Sequence, residues 1–248
     1  MNAAEEATRI VDELRALGGA ERAEYEKRYL KSDFTHFGVP MPAIRKVAVA
    51  AVRGPRTRED VLALAESLWS VTENGRPLHE ARMASIEILA REVDLLEPGE
   101  VAVAERMIRD SASWAYVDGL AEKVVGALVR RFPEPAEVLD RWVADPYPWI
   151  RRTALLALLP GIRAGNPDLD RLSRYGDALI EETGFFIRKA LGWVLRELSK
   201  KDPSWVRAWV EPRVARISGV TLREAVRHLP ADDAARLKAA YEKARQAR

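Results

Sequence analysis

Six short segments of this chain fall into one register, and their spacing sets what the chain can fold into. They read Ile44-Arg45-Lys46, Ala81-Arg82-Met83, Val117-Asp118-Gly119, Ile150-Arg151-Arg152, Ile187-Arg188-Lys189 and Leu222-Arg223-Glu224. Their first residues lie 37, 36, 33, 37 and 35 positions apart. A period of this size belongs to stacked helical hairpins, because one two-helix unit cannot bury its apolar face alone. Stacking places one helix of each hairpin along a common row, so Arg45, Arg82, Arg151, Arg188 and Arg223 form a column of guanidiniums. Asp118 is the break in that column.

The segments between these marks read as amphipathic helices. In 79–91 the apolar residues Met83, Ile86, Leu89 and Ala90 recur at three- and four-residue steps, and 118–132 and 186–198 behave alike. Strand-like alternation is absent, and Asn74-Gly75 falls between helices rather than between two alternating runs. Pro and Gly punctuate the boundaries at Gly38-Val39-Pro40, Pro98-Gly99, Pro146-Tyr147-Pro148 and Pro160-Gly161. The expected architecture is all-α: a single repeat domain over 1–248, with about six helical hairpins and the Arg column on the second helix of each.

Composition narrows the function classes. The chain has no Cys, which removes a disulfide framework, a thiolate nucleophile and Cys-based zinc sites. His36, His79 and His228 lie far apart in sequence and form no ligand pair at helical spacing, so neither a metal nor a cofactor is expected. No apolar run approaches the length of a membrane span, and the start, Met1-Asn2-Ala3-Ala4-Glu5-Glu6, lacks the basic and apolar regions of a signal peptide. A monomeric, cytoplasmic protein, associated with the nucleoid if its partner is DNA, is the expectation.

Net charge is only +2, but it is unevenly placed. Residues 1–26 carry seven acids against three Arg, whereas residues 186–248 carry fifteen Lys or Arg against seven acids. Such asymmetry points to an anionic partner. The excess of Arg over Lys, 31 to 9, favours bidentate phosphate contacts but equally fits a GC-rich genome. The column has a plain reading as well, since an Arg following an apolar residue on the second helix also packs between repeats.

Around Asp118 the sequence gathers unusual residues. Trp114 precedes it by four positions, so both lie on one face of one helix. The next two repeats supply Arg152 and Trp193. Singly, each has an ordinary explanation: a Trp at helical spacing packs in the core, an Asp beside Gly119 caps a helix, and Arg152 bridges repeats.

Together these stretches resemble a known family. Ser113-Trp114-Ala115-Tyr116-Val117-Asp118, Trp149-Ile150-Arg151-Arg152-Thr153-Ala154 and the block Phe185–Glu197 look like the AlkD-type DNA glycosylases. Tyr29-Leu30-Lys31-Ser32, Phe37-Gly38-Val39 and Pro42-Ala43-Ile44-Arg45 are similar to that family's first segment, and Leu222-Arg223-Glu224-Ala225 to its last repeat. The resemblance covers roughly residues 25–230. It implies a HEAT-like helical solenoid whose basic concave face holds duplex DNA, and removal of N3- and N7-alkylated purines. It maps the family's active-site residues onto Trp114, Asp118, Arg152 and Trp193. Where members carry a Lys beyond the catalytic Arg, this chain has Pro160. Lys189 and Arg196, with the Arg column, are the expected DNA-binding residues.

The chemistry suits these residue types. A purine alkylated at N3 or N7 is already cationic, so its departure needs no protonation by His or a second carboxylate. One carboxylate beside the sugar stabilises the oxocarbenium ion and orients water, while indole faces attract the cationic base. Two rivals remain: a HEAT-repeat protein that binds damaged or branched DNA without catalysis, and a HEAT scaffold that binds another protein.

Overall fold

The computed structural model describes residues 2–247. Their secondary structure is helical, as the period predicts, apart from one hairpin of two two-residue strands and an isolated bridge between Thr35 and Leu78. The chain divides into two compact units, one up to Val124 and one from Val125 onward.

The first unit holds α1 (Ala3–Ala16), α2 (Ala20–Leu30), α3 (Met41–Ala51), α4 (Arg58–Trp69), the strands β1 (Thr72–Glu73) and β2 (Arg76–Pro77), α5 (His79–Arg91), α6 (Val101–Arg109) and α7 (Trp114–Gly119). Local sequence sets the boundaries. Asn2 caps α1 by accepting from the backbone N–H groups of Ala4 and Glu5. Thr57 and Asp60 form a reciprocal capping box at α4. The buried stripe of α1, Ala7, Ile10, Val11 and Leu14, follows the three- and four-residue steps of an amphipathic helix. Asn74-Gly75 does more than separate helices: both residues adopt positive φ, 54° and 72°, and close β1 on β2. Asn and Gly tolerate that left-handed conformation, so a tight turn forms without the alternating runs that announce a longer hairpin.

Helix α5 is the core of this unit and packs against α1, α3, α4 and α7. It is buried continuously from His79 to Leu89, charged residues included. Burying a charge is costly unless it is paired and hydrogen-bonded, and each is met. The Glu80 carboxylate accepts from the backbone N–H groups of Phe37, Gly38 and Val39 at 3.0, 2.7 and 3.3 Å. Arg82 binds Asp110, and Glu87 takes both Arg45 and Lys123.

The second unit holds α8 (Gly126–Arg131), α9 (Glu134–Trp142), α10 (Pro148–Leu156), α11 (Leu159–Arg163), α12 (Leu169–Leu179), α13 (Phe185–Ser199), α14 (Pro203–Val210), α15 (Gly219–Ala225) and α16 (Ala231–Gln246). Its centre is α13, which packs against α10, α11, α12, α14 and α15. The α13–α15 approach requires Gly192, where an added Cβ would lie 2.8 Å from the Glu224 Cβ.

The six register triplets fall on α3, α5, α7, α10, α13 and α15. After α7 the backbone passes through a π-helical stretch, Leu120–Val125, before α8. Such stretches are rare and occur mostly as brief interruptions of α-helices, often at functional positions.

Candidate functional site

In the first unit the site is built on α7, six residues that run directly into the π-helical stretch Leu120–Val125. Ser113 caps it, accepting from the Ala115 N–H. Asp118 is the fifth residue of the helix, so the N-cap explanation for its carboxylate does not hold. The buried face of α7 carries Tyr116 and Val117, both at most 1% exposed. The Tyr116 hydroxyl meets Nδ1 of His79 at 2.7 Å, and its ring packs with Phe34 and Trp69 at centroid distances of 5.7 and 6.0 Å. That anchorage turns Trp114 and Asp118, each two positions from Tyr116, onto the other side, where both are half-buried.

Trp114 is not alone there. Tyr29 meets it edge-on at 5.9 Å, and Tyr25 stacks on Tyr29 at 6.1 Å. Both tyrosines are about 60% exposed, at 60% and 61%. Two large aromatic faces left in solvent side by side can receive another flat, apolar group. Tyr25 and Tyr29 stand four residues apart on α2, a spacing that puts both on one face of the helix and is the sequence signal for this pair.

In the second unit, Arg152 is buried and donates to the Phe186 carbonyl, with its guanidinium 5.9 Å from the Phe186 ring. Trp149 and Phe185 pack on the same ring at 5.0 and 5.5 Å. Phe185 and Phe186 are exposed, which makes a second aromatic surface beside a guanidinium. Trp193, on α13, is half-buried. The contrast with Trp69, Trp142 and Trp209, all at most 7% exposed, separates Trp114 and Trp193 from the core indoles.

The Arg column proves heterogeneous. Arg82 is 4% exposed, binds Asp110 at 2.6 Å, and lies between the rings of Trp69 and Phe34 at 4.5 and 4.7 Å. This guanidinium is interior, and the expectation that Arg82 meets DNA is corrected: it joins α5 to Trp69 of α4, to Phe34 and to Asp110 just after α6. Arg151 pairs with Glu182 at 2.8 Å and donates to the carbonyls of Asp145 and Pro146. Arg188 donates to the Glu182 carbonyl at 2.6 Å. Lys189 and Arg196 share the Glu224 carboxylate. Arg45, though exposed, holds Glu87 at 2.8 Å. Arg223 is exposed.

These acidic partners explain how so many Arg coexist with a net charge of +2. Burial alone would raise the Glu87 carboxyl, but Arg45 and Lys123 outweigh it and hold it below the ordinary carboxylate value. Glu224 is held down in the same way by Lys189 and Arg196.

The histidines also depart from the sequence reading. His36 and His79 are 43 positions apart in sequence yet stack at 4.3 Å, with Glu26 beside them. Distance along the chain hid the only such group found among the described residues.

The helical architecture, the Trp114–Asp118 pair on α7 and the exposed aromatic rings of each unit are the features to set beside known proteins. The chain belongs to the DNA alkylation repair enzyme family, whose family model matches residues 10–229. Among solved structures, a predicted DNA alkylation repair enzyme from Enterococcus faecalis superposes with a TM-score of 0.75 at 24% identity, covering 86% of this chain and 97% of that one. AlkD2 from Streptococcus mutans gives a TM-score of 0.59 at 18% identity over 84% of this chain and 99% of its own. At these identities the likeness is one of fold. No curated protein matches the sequence. Among the described residues no helix is long and apolar enough to cross a membrane.

Proposed function

We propose that this chain is a DNA glycosylase that hydrolyses the N-glycosidic bond of N3- or N7-alkylated purines in duplex DNA. The observation that carries the reading is on α7. Asp118 and Trp114 stand one helical turn apart, turned away from a buried anchor, with the exposed rings of Tyr29 and Tyr25 extending from the indole. Family membership supports the repair role.

In the proposed reaction the cationic base leaves with the electron pair of the C1′–N bond, which neutralises its own charge. The sugar becomes an oxocarbenium ion, and water adds at C1′ with loss of a proton. Asp118 stabilises the developing positive charge and orients the water. Indole and phenol faces attract the cationic base before cleavage, each by about 0.5–2 kcal/mol. Arg152 and Trp193 take the same roles toward phosphate and base that the family resemblance assigns them.

Arg45, Arg151, Arg188, Lys189, Arg196 and Arg223 are the proposed phosphate contacts. Several must exchange an acidic partner for DNA, which lowers the net gain per contact. The chemistry at Asp118 calls for no metal ion. The direct test is release of free methylated purines from alkylated duplex DNA. Base release in step with protein concentration supports the proposal, and DNA binding without release returns the chain to the non-catalytic reading.

A further inference from the structure

Beneath α7 lies a group of titratable side chains that the proposed reaction does not use. Glu26, His36 and His79 each offer a ligand atom, and the three atoms lie within 4.8 Å of one another. The His36 side chain is fully buried, and Glu26 is 14% exposed. Nδ1 of His36 and Oε2 of Glu26 are buried without a hydrogen-bond partner, 3.9 Å apart. Native interiors seldom leave polar atoms unpaired, and two facing each other call for a third party.

The other atoms of these residues are already engaged in ways that orient the group. Nε2 of His36 meets the Ser32 hydroxyl at 2.9 Å, and Nδ1 of His79 meets the Tyr116 hydroxyl at 2.7 Å, which leaves Nε2 of His79. Arg22 holds Oε1 of Glu26 at 2.8 Å, which leaves Oε2. Outer partners of this kind fix which nitrogen a ligating imidazole presents. Both rings are buried, which favours the neutral imidazole whose lone pair a metal ion needs.

We propose that Glu26, His36 and His79 form a structural site for a divalent transition ion of the zinc type. Two imidazoles and a carboxylate are an established donor set for zinc, at bond lengths of about 2.0–2.2 Å. Closing on the ion draws the three atoms together by roughly an ångström from their present span. The two rings now stack with planes 15° apart, so they must fan open to aim at one point. His36 is the ring that turns, because its outer contact is a rotatable hydroxyl whereas His79 is fixed by the buried Tyr116. The ion ties α2 and the segment after it to the core helix α5.

The test uses untagged, chelator-treated full-length protein titrated with Co2+ and then Zn2+. One equivalent of Co2+ should give the strong visible absorption of four-coordinate cobalt, and Zn2+ should abolish it. Zn2+ should also raise the thermal midpoint. Glu26→Gln keeps the size and the contact to Arg22, so it folds; it should weaken Co2+ binding about 100-fold or more and remove the thermal shift. His36→Gln should do the same, and His228→Gln, at an exposed position, should change nothing. Failure of the wild type to bind one equivalent, or equal affinity in Glu26→Gln, overturns the site and leaves the glycosylase proposal untouched.

Discussion

Nδ1 of His79 and the hydroxyl of Tyr116 meet at 2.7 Å, a buried polar contact on the helix that carries Trp114 and Asp118. The helix runs on without a break into Leu120–Val125, so its orientation depends on what the buried face of that whole segment touches, and Tyr116 supplies a polar contact there. Tyr116→Phe keeps the ring and removes the bond, leaving a buried imidazole nitrogen unsatisfied at a cost of about 1–3 kcal/mol. Excision should fall several-fold while affinity for undamaged DNA is unchanged. A purely structural role would lower the thermal midpoint and leave the single-turnover rate of the folded protein as it was.

Arg82 and Arg45 occupy the same register position with opposite fates, and their Ala variants should separate. Arg82→Ala removes a guanidinium lying between two rings and should cost about 2–3 kcal/mol of stability. Arg45→Ala acts on a side chain 55% exposed and leaves Lys123 paired with the buried Glu87, so it should lower the midpoint less than Arg82→Ala does. It should also reduce the slope of log affinity against log salt by about 1. Denaturation curves and a salt series of binding titrations check both.

The helical register was legible because helix packing imposes a period on the sequence, and every triplet falls on a helix. Asp118 stood out as the break in that register. The acids that temper the column were not legible: Glu87 reaches Arg45 across 42 positions and Asp110 reaches Arg82 across 28, at offsets no local pattern encodes. The His36–His79 stack was hidden for the same reason. The Asn74-Gly75 hairpin escaped because strands of two residues have no alternation to read.

Trp193 and Trp209 provide an internal comparison. Trp209 is 5% exposed, donates to Ser173 and packs directly over Gly176, where an added Cβ would come within 2.4 Å of the indole. Trp209→Ala should cost about 3–5 kcal/mol. Trp193→Ala, at a half-buried position, should cost much less and lower excision well beyond any loss of DNA affinity. Parallel unfolding and excision measurements on both variants decide; a grossly unfolded Trp193→Ala would assign that indole to the core.

Glu224 holds Lys189 and Arg196 together. Burial would raise its carboxyl, but the two cations outweigh this and lower it from the ordinary value of 4.5. Its contribution to stability is therefore complete above that value and fades as pH falls through the lowered one. Glu224→Gln should be less stable than wild type near pH 7, and the gap should narrow below about pH 4.5. The released cations should tighten DNA binding several-fold at about 50 mM salt and steepen its salt dependence. Unfolding across pH and binding across salt test the two halves separately.

The role of Asp118 is the centre of the account, and Asp118→Asn tests it most directly. The change keeps shape and hydrogen-bonding capacity while removing the charge. Single-turnover excision of a cationic alkylpurine from duplex DNA should fall by about two orders of magnitude or more, as loss of a preorganised charge typically causes. Binding to the same duplex should hold steady or tighten, since a charge that repels phosphate has gone. Equal excision rates for Asp118→Asn and wild type would contradict the account.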